Sequence, residues 1–174
     1  MIISAYDFCN LLNLNLGHHY RGVTFRPDMQ KIGSNKGYRV IAVGSNGASF
    51  NNISLLVEND VVTIYGNGET IQVGNDFEVV KQVLGLYVLA KESIGIRFNN
   101  LKCIGHGLIG GERGFAVKTE NRFTAVIYSS TAIALLRAGC KIDGLALRGK
   151  GLKVKKDIPL AGKMTATYAW LINS

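Results

Sequence analysis

His106 is the residue whose type and setting best suit acid–base chemistry. It lies in Gly105-His106-Gly107-Leu108-Ile109-Gly110-Gly111, where glycines would let a substrate approach the imidazole closely. A lone base is not a mechanism, however. The chain has no G-x-S-x-G elbow, no H-E-x-x-H, no C-x-x-C and no H-x-E signature, and no pair among its twelve carboxylates stands out by context. The reading is non-enzymatic, with no catalytic residue and no cofactor.

Two glycine patterns test phosphate binding. The stretch from Gly105 matches G-x-G-x-x-G, but a dinucleotide site needs a helix whose first amides meet the pyrophosphate. Gly110, Gly111 and Gly114 disfavour that helix, so the stretch reads as a glycine-rich loop or bulge. Gly144 to Gly151, GLALRGKG, comes close to G-x-x-x-x-G-K-[ST], yet Gly151 stands where a magnesium-binding hydroxyl is required. The adjacent His18 and His19 point apart on either a helix or a strand and have no third ligand nearby. Cys9, Cys103 and Cys140 are odd in number and far apart, which suits neither a disulfide framework nor a metal site. No metal is expected.

Binding chemistry is concentrated near the C-terminus. Arg148, Lys150, Lys153, Lys155 and Lys156 surround Leu145, Leu147, Leu152 and Val154, a pattern for a strand pair with one cationic face. Arg137 and Lys141 lie upstream, and Tyr168 and Trp170 could stack on bases. Residues 51–100 carry three Lys/Arg against six Asp/Glu, whereas residues 101–174 carry twelve against four. Such polarity suits head-to-tail self-association or a basic face for nucleic acid.

The elements that position these residues are mostly strands. Val61 to Val73, VVTIYGNGETIQV, reads as a β-hairpin: β-branched and aromatic residues run into Gly66-Asn67-Gly68, and Ile71 and Val73 then share one face. Tyr38–Val43 and Ile53–Val57 are predicted strands, joined by a turn at Ser45-Asn46-Gly47, and Glu58-Asn59-Asp60 leads into the hairpin. Later strands are expected over Ile94–Cys103, Phe115–Lys118, Phe123–Tyr128 and Met164–Ile172.

Helical spacing appears three times. Ser4 and Asp7 form a capping pattern before a short helix over residues 5–13, ended by NLNLG. Asn75 and Glu78 have the form of a capping box for a helix from Asp76 to Lys91, with a buried strand at GLYVLA as the competitor. Ser130–Ala138 reads as a helix with Gly139 as its left-handed terminator, or as one more strand through TAIALL. Residues 22–36 read as irregular. Two strings also recur: Phe50-Asn51-Asn52-Ile53 with Phe98-Asn99-Asn100-Leu101, and Glu58-Asn59 through Tyr65 with Glu120-Asn121 through Tyr128. Their spacing differs, so coincidence is favoured over a duplicated β unit.

The expected class is α+β, predominantly antiparallel β with two or three short helices, the alternative being an all-β sandwich, barrel or solenoid. One β-rich domain over residues 1–174 is expected, with the first 36 residues as an N-terminal helical extension. Apolar residues make up 47% and charged residues 18%, against about 25% charged in soluble domains. A surface short of charge, with 21 glycines and 2 prolines, suits a turn-rich subunit that buries part of its exterior. In this overall composition the chain resembles β-rich bacteriophage virion components, such as tail and head-completion proteins. The resemblance implies a structural or assembly protein whose partners are copies of itself and other assembly proteins. The candidate contact residues are Arg148, Lys150, Lys153, Lys155, Lys156, Trp170 and His106. The alternative is a basic nucleic-acid-binding protein. The N-terminus MIISAYDF lacks the pattern of a signal peptide, and no apolar run reaches the roughly 20 residues of a membrane span. The expected location is a virion, or otherwise the cytoplasm.

Overall fold

The computed structural model describes residues 3–17, 22–28, 37–66, 68–89, 101–118, 124–149 and 151–154. Among the described residues, mostly antiparallel sheets with three α-helices make this a β-rich α+β fold. The chain divides into two compact units, Met1–Gly95 and Ile96–Ser174. Among the described residues, no helix is long and apolar enough to cross a membrane.

The first unit holds a five-stranded antiparallel sheet in chain order: β1 (Thr24–Pro27), β2 (Gly37–Val43), β3 (Ser49–Glu58), β4 (Val61–Gly66) and β5 (Glu69–Val73). Strictly sequential order requires only short turns. Between β3 and β4, Asn59 and Asp60 both take positive φ, which gives the two-residue turn whose twist matches the strands it joins. Between β2 and β3, the Asn46 side chain accepts from the Ala48 amide while the Gly47 amide donates to the Gly44 carbonyl. The hairpin over Val61 to Val73 forms as predicted, in the register Val62 to Val73 and Ile64 to Ile71.

One row of side chains crosses all five strands. Phe25, Val40, Leu55, Ile64 and Ile71 are buried, and the cross-strand pairs Val40–Leu55, Leu55–Ile64 and Ile64–Ile71 put the last four on one face. The other face is mixed, with Ile41 and Leu56 among polar side chains. Arg39 lies 5.3 Å from the Tyr65 ring centroid and donates to Ser54 Oγ, and Gln72 donates to Thr63 Oγ1. A one-sided antiparallel sheet leaves its apolar face for helices to cover.

Two helices do so. In α1 (Ala5–Leu12), Ser4 is the N-cap, its hydroxyl oxygen accepting from the Asp7 amide at 3.1 Å, as the sequence predicts. The helix continues at Asn13–Gly17 as a π-helical turn where NLNLG was expected to end it. Phe8 packs edge-on against Tyr38 of β2 and against Phe77, tying α1 to the sheet and to the next helix. That helix is α2 (Phe77–Leu89), and the strand alternative at GLYVLA is not adopted. Its cap is Asp76, one residue later than the predicted Asn75: Asp76 Oδ1 accepts from the amides of Glu78 and Val79. Every residue from Val79 to Val88 is buried, including Lys81, whose ammonium reaches back to Glu78 at 2.9 Å.

Residues 22–36 are not wholly irregular, as they were expected to be. Val23 and Phe25 are buried, and β1 pairs with β2 from Thr24–Val43 to Pro27–Val40, so the supposed helical extension contains an edge strand. Pro27 ends it on an edge, where a missing amide costs least.

The second unit has a four-stranded sheet in the order β8-β7-β6-β9, formed by β6 (Leu101–Ile109), β7 (Glu112–Lys118), β8 (Thr124–Tyr128) and β9 (Ile142–Asp143). β6, β7 and β8 are antiparallel neighbours, whereas β9 lies parallel to β6 at Leu101–Ile142 and Lys102–Asp143. Phe115, Val117, Ala125 and Ile127 are buried on one face, and Ala116 and Val126 on the other. The helix α3 (Ser129–Arg137) comes directly after β8 and packs on β7 and β8, so TAIALL is helical. Gly139, at φ +94°, donates to the Leu136 carbonyl while the Cys140 amide donates to Leu135, closing the predicted glycine terminator. A separate hairpin joins β10 (Leu145–Arg148) to β11 (Gly151–Val154).

The recurring strings fall on different places. Asn51 and Asn52 take positive φ inside β3, where the register with β2 slips, and Asn59 is in the β3–β4 turn. Their counterparts at 98–100 and 120–121 lie outside the described residues, as do the segments at 94–100 and Met164–Ile172 and the histidines at 18 and 19.

Candidate functional site

The glycine-rich stretch is a strand and a turn rather than a loop. Gly110 and Gly111 have φ +57° and +87°, the pair of left-handed residues that a two-residue hairpin turn needs, and Ile109 pairs with Glu112 across it. The strand pairing with β7 absorbs Gly105 and Gly107, and a bulge at Ile104 interrupts the register between Cys103 and Gly105. The turn glycines lead into β7, so the dinucleotide arrangement of strand, turn and helix does not form here.

His106 therefore sits mid-strand, opposite Phe115, its ring 6.3 Å from the phenyl centroid. Arg113 on the neighbouring strand places Nη1 2.6 Å from His106 Nδ1. A guanidinium only donates, so Nδ1 is the acceptor and its lone pair is engaged. Acid–base work at that nitrogen would first have to displace Arg113.

Beyond this pair the β6–β7 hairpin becomes a two-stranded arm among the described residues. β8 pairs with β7 only from Gly114 to Lys118, and β9 meets β6 only at Leu101 and Lys102. At the arm, Leu108 is 68% exposed, opposite Arg113; Ile104 is also exposed, but at the bulge, where β7 is still paired with β8. The exposed Leu108 was not anticipated. Its signal in the sequence is its alternation with His106, which puts both on one face of a strand once the glycines are read as strand residues.

The cationic hairpin forms as expected over its described part. Leu145 lies opposite Val154 and Leu147 opposite Leu152, which gathers the four apolar residues on one face. Arg148 and Lys153 share the other face with Gly151 and Ala146, and both are exposed. Gly144 to Gly151 thus spans a β-hairpin with no helix to present amides to a phosphate. Arg137 in the last turn of α3 and Lys141 after it are also exposed. Lys150, Lys155, Lys156 and Trp170 lie outside the described residues.

In the first unit a second apolar surface was missed. Tyr6 is 65% exposed and Leu14 66%, with Leu11 between them in sequence on the outward side of the N-terminal helix. Of the thiols, Cys9 and Cys103 are buried, and burial raises the pKa of each, Cys9 to about 11. A raised pKa suits a small apolar side chain more than a nucleophile. Among the described residues, no three His, Cys, Asp or Glu side chains gather where a metal could bind.

Compared with family models, curated proteins and solved structures, the chain matches none.

Proposed function

We propose that this chain is a non-enzymatic assembly subunit that associates with copies of itself through the β6–β7 arm, with a bacteriophage tail or head-completion complex as its leading setting. The observation that carries the reading is the arm: the end of the β6–β7 hairpin extends past its described neighbours, with Leu108 exposed beside the turn. An exposed leucine on a strand end is a poor feature for a solitary molecule and a good one for a subunit. The low charge content and the virion-like composition support the setting. Light scattering after size exclusion is expected to give a mass well above 18.9 kDa for the chain, and Leu108→Lys is expected to lower it toward the monomer. A monodisperse monomer for the unaltered chain at tens of micromolar would overturn the reading.

A second reading is favoured by one observation, the placement of Arg148 and Lys153 on the same exposed face of the β10–β11 hairpin. Such a face suits the phosphate backbone of nucleic acid. Retention on immobilised DNA should then fall steeply between about 50 and 200 mM salt, and weaken when both residues are replaced by glutamine. Retention insensitive to salt would discard it.

A further inference from the structure

We infer that the outer face of the five-stranded sheet is a further self-association surface, on which two copies of the chain pack face to face about a two-fold axis through Leu56. The contact is separate from the β6–β7 arm and does not depend on it. It starts from Arg39, half-buried on β2. The guanidinium donates to Ser54 Oγ at 3.4 Å and lies over the Tyr65 ring, so it is laid across β3 toward β4. Asp28, whose amide donates to the Arg39 carbonyl, is on the opposite side, beyond the end of β1. Glu58, diagonal to Arg39 on β3, is exposed, and among the described residues neither Arg39 nor Glu58 has an ion-pair partner. A guanidinium stacked on an aromatic ring keeps its fork of N–H donors for a carboxylate, which it binds bidentately.

The register makes this face complementary to itself. Ser54, Leu56 and Glu58 follow one another outward along β3, two residues apart, as Val61, Thr63 and Tyr65 do along β4. Leu56 pairs with Arg39 on one side and Thr63 on the other, Ser54 with Tyr65, and Glu58 with Val61. A two-fold axis running across the strands along Arg39, Leu56 and Thr63 therefore lays Ser54 over Glu58 of the second copy, and Val61 over its Tyr65. Arg39, already held above Ser54, meets that carboxylate, and symmetry makes the exchange twice. Stacked sheets stand about 10 Å apart, a gap that an arginine and a glutamate bridge together. Val61, 38% exposed, gains an aromatic partner, and Leu56 meets its own counterpart on the axis. The composition of the face favours protein over nucleic acid: Arg26, Arg39 and Tyr65 surround half-buried Ile41 and Leu56, with no lysine among its described residues.

The test uses the full chain carrying Leu108→Lys, chosen to disrupt the arm. Light scattering after size exclusion at tens of micromolar is expected to give twice 18.9 kDa. Adding Arg39→Glu or Glu58→Arg should return each chain to the monomer, because the paired charges then have the same sign. Mixed in equal amounts, the two variants should recover the dimer, since each copy supplies the charge that the other lacks; a variant that had merely failed to fold would not. A monomer for Leu108→Lys would overturn the inference and leave the arm standing. A dimer that survives both charge changes would overturn it as well, as would no recovery on mixing two variants whose urea midpoints match the parent. If Leu108→Lys leaves the mass of the unaltered chain unchanged, the arm reading falls, and the same loss and recovery with the charge variants still decides this one.

Discussion

The Asn13 side chain pairs with the backbone of Phe25 as a strand would: Nδ2 donates to the Phe25 carbonyl at 2.9 Å and Oδ1 accepts from the Phe25 amide at 2.7 Å. A primary amide carries the same donor and acceptor as a peptide group, so one residue of the π-helical turn satisfies an edge position of β1. Replacing it should expose that position. Asn13→Ala is expected to cost about 1–3 kcal/mol in urea unfolding, because two backbone groups lose their partner. Asn13→Asp keeps the acceptor but sets an anion against the carbonyl, and should cost at least as much. If the aspartate variant were as stable as the parent, the pairing would contribute nothing.

Gly66 is fixed by a neighbour rather than by its own backbone angles. A Cβ placed there would stand 2.7 Å from Cδ1 and 2.8 Å from Cε1 of Tyr87, a residue buried in α2. Gly66→Ala should therefore force the ring away and destabilise the first unit by about 1–3 kcal/mol. A double-mutant cycle with Tyr87→Ala checks the cause: the alanine at 66 should cost much less once the ring is gone. Additive costs would mean that the strain lies elsewhere.

Alkaline pH should destabilise the first unit through two neighbouring groups. Burial raises the Cys9 thiol from 9.0 to about 11 and the Tyr38 hydroxyl from 10.0 to about 12, with the charge of Cys9 adding to the second shift. Both groups are neutral when protonated, and the folded state holds those protons more tightly than the unfolded chain. Their contribution is thus fully present below pH 9 and lost as pH rises toward 12. Denaturant midpoints measured between about pH 8 and 11 should decline, and Cys9→Ala with Tyr38→Phe should flatten the decline. Tyr38→Phe by itself should be close to neutral near pH 7, since the Tyr38 hydroxyl is buried and has no hydrogen-bond partner among the described residues. A decline of equal slope in the double variant would assign the pH dependence to other groups.

Much of this architecture is legible in the residues themselves. Val61 to Val73 combines β-branched arms with a glycine turn, so local preference and tertiary pairing agree. Gly139 likewise marks the end of α3 because its left-handed φ is demanded locally. Where the reading failed, the deciding partner was distant in sequence. Gly105 and Gly107 look like loop residues until β7 supplies their pairs, and TFRP looks irregular until β2 and Asn13 flank it. Asn75 and Asp76 offer equivalent caps one residue apart, and only the helix phase chooses between them. Of the candidate contact residues, the shared face of Arg148 and Lys153 follows from strand alternation. Arg113 beside His106 follows only from a hairpin register that glycines conceal.

The parallel contact of β9 with β6 gives the second unit a different folding problem from the first. In the five-stranded sheet each strand meets its predecessor in the chain, and the links from β2 through β5 are short turns. Joining Leu101 to Ile142 instead closes a loop of about forty residues, and the entropy of that closure must be met by a two-residue strand. Contacts of this kind slow folding more than they add stability. Of the described pairings in the second unit, that bridge joins the most distant stretches of chain through the fewest residue pairs.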